Sequence, residues 1–192
     1  IVTAADGSLL RAFISHDGAW RLPVKPAQVD KRYLQILLEW EDQRFQSHPG
    51  VDPMAIARAI TQMALKTRVV SGASTITMQV ARLLEPRERT LGAKFLQMAR
   101  ALQLDWHLTK EQTLELYLTL APYGGNLEGV RAASLAWFGK EPQRLTWAEA
   151  ALLVALPQSP EARRPDRNPQ AARRARDRVL ASAVAARAIT AS

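Results

Sequence analysis

Two adjacent carboxylates stand where an apolar, helix-like run ends. The stretch EDQRFQSHPG, residues 41–50, begins with Glu41, and Glu41 continues an i, i+3, i+4, i+7 apolar series that starts at Leu34. A carboxyl group on an apolar face tends to have a raised pKa, which suits a general base near neutral pH. The alternative is a solvated helix end on which Glu41 pairs with Arg44 or Arg32. The spacing leaves both interpretations open.

A second candidate site is the hydroxyl-rich stretch SGASTITMQVAR, residues 71–82. The hydroxyls of Ser74, Thr75 and Thr77 could hold phosphate oxygens at the start of a helix. Arg82 follows Thr75 by seven residues, on the same helix face, and would add a positive charge. The alternative is an N-cap followed by an ordinary helix, and the pattern does not decide between them.

A third candidate is a polar stripe on one side of a long predicted helix. Lys94, Gln97, Ala101 and Asp105 share that side, and the small Ala101 would leave room for a ligand. The alternative is a solvated stripe, which the spacing alone favours. The turn PYGGN, residues 122–126, could be a substrate loop, although such sequences are usually turns only.

Several classes of function are excluded or disfavoured. The chain has no cysteine, its three histidines lack metal-ligand spacing, and no phosphate-binding glycine motif is present, so we expect no organic cofactor. The net charge of +8 favours an anionic partner. The arginine-rich run at residues 163–178 lacks interleaved aromatic residues, so we predict no nucleic-acid binding.

The periodicity predicts a mainly α domain over residues 1–192 with a small extended N-terminal portion. Capping signals predict helix starts at Asp30, Asp52-Pro53, Thr109 and Thr146, and the five tryptophans are assigned mostly to the core. No apolar run is long enough to span a bilayer, and the chain begins with Ile. We therefore interpret it as part of a longer protein. The remaining predicted helices cover residues 91–108 and 127–137, the latter ending at Gly139.

Taken together, the motifs resemble those of glycosyltransferase family 51, the peptidoglycan polymerases of class A penicillin-binding proteins. Five stretches match in order and at the right intervals, over nearly the whole chain. They are Glu41-Asp42-x-x-Phe45-x-x-His48-x-Gly50; Gly72 to Gln79; Lys94-x-x-Gln97-x-x-x-Ala101-x-x-Leu104-Asp105; Leu114-Glu115-x-Tyr117-Leu118; and Glu149 to Leu153 with Leu156-Pro157-Gln158.

The resemblance implies a lysozyme-like glycosyltransferase domain that joins lipid II to a growing glycan strand and releases undecaprenyl pyrophosphate. Glu41 would be the catalytic base, acting on the 4-hydroxyl of the acceptor sugar, with inversion at the donor. Arg82 and Lys94 would meet the pyrophosphate, and Thr75 and Gln79 would position the sugar-phosphate. The resemblance also implies that the following residues form the substrate cleft: Asp42, Phe45, His48, Ser74, Thr75, Gln79, Arg82, Lys94 and Gln97.

The resemblance further implies a cofactor and a location. A divalent cation such as Mg²⁺ could assist, but Gln97 stands where the family usually has a glutamate, so its binding is in doubt. Met78, Arg82 and Thr119 replace a common glutamine, lysine and asparagine. We expect the periplasmic face of the bacterial inner membrane, with an anionic membrane surface, contacted near residues 54–70, as a partner. An anchor before this domain and a transpeptidase domain after it are also expected.

Two other classes of function are weighed against the polymerase. A lytic hydrolase on the same fold would cleave finished peptidoglycan, which zymography would detect. A non-catalytic scaffold would bind lipid II and make no polymer.

Overall fold

The computed structural model describes residues 2–5, 9–66, 74–88 and 90–189. These residues form eight α-helices and four short strands, and the mainly α prediction is confirmed. The strands are β1 (Val2–Thr3), β2 (Leu9–Arg11), β3 (Trp20–Arg21) and β4 (Leu127–Glu128). The helices are α1 (Lys31–Glu41), α2 (Pro53–Lys66), α3 (Ile76–Leu84), α4 (Leu91–His107), α5 (Lys110–Leu120), α6 (Val130–Phe138), α7 (Trp147–Ala155) and α8 (Pro169–Ala185).

The chain divides into two compact units, one made of Ile1–Leu37 with Leu118–Ser192 and the other of Leu38–Tyr117. We call them the first and the second unit. All ten predicted site residues belong to the second unit. That residues 1–192 form a single domain stays a prediction.

The first unit contains all the described strands. β1 pairs antiparallel with β2, whereas β3 pairs parallel with β4. The predicted helix from Leu127 is therefore wrong at its start, because Leu127 and Glu128 pair with a distant strand and α6 begins only at Val130. Local periodicity cannot reveal a partner more than a hundred residues away.

In the first unit, two local sequence signals correctly predicted where helices begin or end. Thr146 and Glu149 form the predicted capping box of α7, and Gly139 ends α6 with a φ of 66°, in the left-handed region where glycine is favoured. α8 was not predicted, because its arginine-rich sequence has a weak apolar face. Its small buried side chains lie where α8 meets α7: Ala172, Ala175, Val179 and Ala183.

Two further sequence expectations concern the first unit. The turn at residues 122–126 packs against Arg164, which a Cβ on Gly124 would meet at 2.6 Å, and the backbone N–H of Gly125 donates to Glu161. Within the first unit this turn therefore has a structural role. Asp30 receives the backbone N–H of Arg32, in agreement with the predicted start of α1.

The second unit is built around the contact between α3 and α4. Val51, Met78 and Ala101 form its buried cluster, so Met78 stands at an apolar core position rather than in a polar site. The predicted starts of α2 and α5 are confirmed, since Asp52 accepts from the N–H of Ala55 and Thr109 and Gln112 cap each other.

The assignment of the tryptophans to the core is wrong. Trp106 on α4 is 87% exposed and Trp147 is 37% exposed. Trp20, Trp40 and Trp137 are only half-buried. Helical spacing places most of the tryptophans on helices but does not show which face each helix buries.

Candidate active site

Glu41 is the last residue of α1 and is half-buried. The fully buried side chains of α1 are Tyr33, Ile36 and Leu37. The apolar face therefore lies beside the one predicted, and Glu41 stands at its margin. The side-chain amide of Gln79, on α3, donates to Glu41 Oε2 at 2.8 Å.

The alternative partners predicted for Glu41 are engaged elsewhere. Arg44 makes a twofold contact with Asp52, and Arg32 donates to the carbonyl of Leu145 and lies 3.9 Å from Asp30. A solvated ion pair with either arginine is therefore not what positions Glu41. The carboxylate is held at the end of α1 by an amide from the neighbouring helix.

Asp42 fixes the segment that follows Glu41. Its Oδ1 lies 2.8 Å from His48 Nε2, and its Oδ2 accepts the backbone N–H of Ile76 at 2.9 Å. Asp42 is 7% and His48 5% exposed. Both oxygens of the buried Asp42 carboxylate are hydrogen-bonded, which holds it in a fixed geometry. Asp42 therefore ties the end of α1 to the first residue of α3.

Thr75 also holds the start of α3 to the segment that follows Glu41. Its hydroxyl donates to the carbonyl of Gly50 at 2.6 Å and accepts the N–H of Met78 at 3.1 Å, as the N-cap of α3. The capping alternative is thus the correct one for Thr75, which is 2% exposed, and Thr77 is fully buried. Only Ser74, half-buried, contacts a cation, since Lys94 Nζ donates to its Oγ at 2.5 Å.

Ala101 has a different role from the predicted one. A Cβ on Gly50 would stand 2.3 Å from the carbonyl oxygen of Ala101, and Gly50 has a φ of 75°. Ala101 itself is fully buried against Val51 and Met78. Small residues at both positions let the backbone after Glu41 approach α4 closely. The space at Ala101 is filled by protein and does not hold a ligand.

Lys110 is a contributor that the sequence reasoning missed. Its ammonium donates to the carbonyl of His48 and to Asp105, each at 2.6 Å, and lies 5.1 Å from the ring centre of Phe45. Phe45 is 1% exposed. A lysine at the first position of a helix opposes the helix dipole, and that misfit was the available signal of a specific partner.

A cavity of about 450 Å³ opens between the end of α3 and the first turns of α4. Its lining includes four basic and two acidic side chains: Arg82, Arg87, Lys94, Arg100, Glu85 and Glu88. Glu85 is paired with Arg87 at 2.9 Å and Arg100 at 3.4 Å. Among the described residues, no carboxylate lies within ion-pair distance of Arg82 or Lys94.

The pKa of Lys94 reflects its burial and the positive charge around this cavity. Burial, and then the nearby Arg82 guanidinium, lower the pKa of Lys94 below its usual value. Two neighbouring cations that, among the described residues, have no carboxylate within ion-pair distance favour an anion with more than one negative charge. The predicted stripe of Lys94 and Gln97 is therefore a cavity wall rather than a solvated surface.

The donor set does not fit the divalent cation that the motifs imply. Such a cation needs several oxygen ligands, preferably carboxylates. Glu85 is engaged by two arginines, and Gln97 supplies an amide whose N–H donates to the carbonyl of Met78 at 2.6 Å. Within the described ranges no group of three or more histidine, aspartate or glutamate side chains could hold a metal.

The fold is the lysozyme-like one. It resembles a 2.6 Å crystal structure of penicillin-binding protein 1A from Haemophilus influenzae, with a TM-score of 0.52 at 20% identity, covering 90% of this chain and 16% of that one. The sequence matches the family described as Transglycosylase over residues 6–184. The chain belongs to this family.

Curated relatives agree with this assignment. The chain is 52% identical to penicillin-binding protein 1C of Escherichia coli over 94% of its length, and 33% identical to penicillin-binding protein 1A of Pseudomonas aeruginosa over 93%. It spans 23% and 22% of those proteins. The predicted family and its transglycosylase class of enzyme are confirmed. The comparisons give no support to the lytic hydrolase or the scaffold.

Proposed function

We propose that this domain polymerises lipid II into glycan strands, with Glu41 as the general base and the cationic cavity as the site of the pyrophosphate leaving group. The observation that carries the proposal is the position of α3. One turn of this helix holds Glu41 through Gln79, and the next turn supplies Arg82 to the cavity. Residues three apart lie on the same helix face.

In this proposal the Glu41 carboxylate takes the proton from the 4-hydroxyl of the acceptor sugar. The oxygen then forms a bond to the anomeric carbon of the donor, and the bond from that carbon to the phosphate oxygen breaks with inversion. A base at the end of a rigid helix, oriented by an amide, suits this proton transfer. Asp42 and His48 position the base from within the protein.

The leaving group departs with additional negative charge, which Arg82 and Lys94 would stabilise. Both side chains line the cavity, and Ser74 orients the Lys94 ammonium. Preorganised cations aimed at developing charge contribute several kcal/mol to such a step, on the order of 10²-fold or more in rate. No step is assigned to a metal ion.

The test is glycan synthesis from labelled lipid II by the wild-type chain and by Glu41→Gln, which keeps the shape and removes the base. Gln43→Ala, an exposed change two residues away, is the control. We expect Glu41→Gln to lose roughly 10²-fold or more in rate and the control to keep the wild-type rate. Equal polymer from Glu41→Gln and wild type would refute the assignment of the base.

The proposed partner surface is an anionic bilayer, and α4 supplies the structural support. Leu91, Phe95, Leu102 and Trp106 are 83%, 70%, 48% and 87% exposed. Their spacing places them on one face, about 22 Å long. Leu91 also lines the cationic cavity. An apolar stripe with aromatic residues beside basic groups is typical of a helix that lies in a lipid interface.

The region predicted from sequence for this contact, residues 54–70, is described only in part. Met54 is 65% exposed, and residues 67–70 lie outside the described residues. No described helix is both long and apolar enough to cross a membrane. The contact proposed here is interfacial, through the exposed stripe on α4.

Vesicle sedimentation tests the surface. We expect the chain to pellet with vesicles containing anionic phosphatidylglycerol, and the double variant Phe95→Asn/Trp106→Asn to stay in the supernatant. Phe13→Asn, a change of another exposed aromatic residue in the first unit, should bind like wild type. Equal recovery of the double variant and wild type in the pellet would overturn the role of this stripe.

The domain is proposed to act at the periplasmic face of the bacterial inner membrane, as part of a longer protein. The support is that the curated relatives it matches are several times longer than the matched region and are named for binding penicillin. A membrane anchor and a transpeptidase domain in the same protein are the corresponding proposals.

A further inference from the structure

We propose that the cationic cavity binds a pyrophosphate group through Arg82 and Lys94 without a divalent cation, and that Gln97 is the residue that makes the cation unnecessary. The identity of the anion rests on the proposed function. The metal independence rests on contacts within the second unit.

Gln97 is fixed by a contact that a glutamate could not make. Its Nε2 donates to the carbonyl oxygen of Met78 at 2.6 Å. A carbonyl oxygen only accepts hydrogen bonds, so this contact requires the N–H side of the amide. A glutamate in the same position would place two acceptor oxygens within hydrogen-bond distance. A bound cation or a proton would then be needed between them.

The charge balance of the cavity points the same way. Glu85 is already shared by Arg87 and Arg100, and the Arg87 guanidinium beside Glu85 holds the pKa of that carboxyl below its usual range. Glu85 is therefore ionised at neutral pH and committed to its arginines. A further carboxylate at position 97 would offset the charge of Arg82 or Lys94, neither of which has a carboxylate within ion-pair distance in the described part of the chain. With Gln97, both Arg82 and Lys94 keep their charge for phosphate oxygens.

Among the described residues that line the cavity, only Glu85 and Glu88 offer carboxylate oxygens to a hard cation. Glu88 is exposed and Glu85 is engaged, and both lie among four basic side chains. A divalent cation entering this cavity would be repelled by those basic groups before it met its ligands. A pyrophosphate, in contrast, meets guanidinium and ammonium donors directly.

Calorimetric titration with inorganic pyrophosphate tests the inference directly, in EDTA and again with Mg²⁺. We expect wild type to bind in EDTA and Arg82→Gln to bind at least about 10-fold more weakly. Gln97→Glu should bind at least about 10-fold more weakly than wild type in EDTA and recover when Mg²⁺ is present. Complexes of Mg²⁺ with free pyrophosphate affect all variants equally, so the ratio between variants is the quantity compared.

Two further variants separate charge from folding. Gln97→Met loses the amide contact but adds no charge, and it should bind within about 3-fold of wild type in EDTA if charge is what matters. Gln143→Glu makes the same change in net charge at an exposed position of the first unit and should bind like wild type. Circular dichroism checks that each variant is folded.

The outcomes are distinct. Pyrophosphate binding by wild type only with Mg²⁺, or equal binding by Gln97→Glu and wild type in EDTA, would overturn the inference. Polymerisation of lipid II by the same proteins is measured in parallel. Metal-free pyrophosphate binding without polymer would leave the inference standing and remove the proposed function. Polymer together with strictly Mg²⁺-dependent pyrophosphate binding would leave the proposed function standing and overturn the inference.

Discussion

The side-chain amide of Gln79 donates a 2.8 Å hydrogen bond to the Glu41 carboxylate, joining two residues that are 38 positions apart in the chain. The amide keeps the carboxylate at the end of α1 facing α3. Because Arg82 stands one turn further along α3, the same helix links the base to the cationic cavity.

Removing this amide should impair catalysis more than folding. We expect Gln79→Ala to lower the rate of glycan synthesis roughly 10-fold, because Glu41 loses the contact that orients it. The matched change Gln43→Ala removes an exposed amide that donates to Glu39 and should keep the rate. Rates from labelled lipid II and urea unfolding of each variant measure the two effects. An unchanged rate for Gln79→Ala would contradict the orienting role.

The buried Asp42–His48 pair should dominate local stability. Asp42→Ala leaves the N–H of Ile76 and the ring of His48 without their acceptor in a buried site. We expect a loss of about 3 kcal/mol in the free energy of unfolding. Urea denaturation monitored by circular dichroism gives the value. A loss below about 1 kcal/mol would mean that other contacts hold the start of α3.

Gly50 should tolerate no side chain. Gly50→Ala adds a Cβ 2.3 Å from the Ala101 carbonyl oxygen at a φ of 75°, so backbone must move. We expect a loss of at least about 2 kcal/mol in the free energy of unfolding, together with lower activity. Gly92→Ala is the control, because its Cβ would meet nothing within 4 Å, and it should be neutral or slightly stabilising. Equal effects of the two changes would refute the close approach of Gly50 to α4.

The charged Lys94 should lower the free energy of unfolding at neutral pH. Burial, then Arg82, lower its pKa in the folded state below 10.5, so the folded state binds this proton less readily than the unfolded state. This destabilisation is therefore fully present below the folded-state pKa. It is lost as the pH rises from the folded-state pKa to the unfolded-state value of 10.5. We expect Lys94→Met to be more stable than wild type at pH 7, with the difference shrinking at alkaline pH.

The same variant should lose activity by roughly 10-fold or more, because the pyrophosphate loses a cation. Lys25→Met, at an exposed position of the first unit, is the control for both measurements. Unfolding at several pH values and lipid II polymerisation give the two results. A less stable and fully active Lys94→Met would contradict the interpretation of this lysine.

Local signals predicted most helix ends, because a cap is a short-range hydrogen bond. Thr109 and Thr146 each cap the helix that the sequence assigned to them, and Thr75 is the cap in the alternative that the pattern left open. The start of α6, the presence of α8 and the exposure of Trp106 were missed. Each depends on which distant surface an element meets, and local periodicity does not contain that information.

The residue types themselves determined the chemistry of this protein: a carboxylate after an apolar helix, a hydroxyl-rich helix start, and basic residues on the two following helices. Tertiary structure decided which of those residues hold the backbone and which face the cavity. In the folded chain, Thr75, Asp42 and His48 hold the backbone through hydrogen bonds. Gly50 fills the space beside Ala101, and Lys110 contacts both Phe45 and His48. The reason is physical: hydrogen bonds and close contacts between residues far apart in sequence exist only once α1, α3 and α4 have packed together.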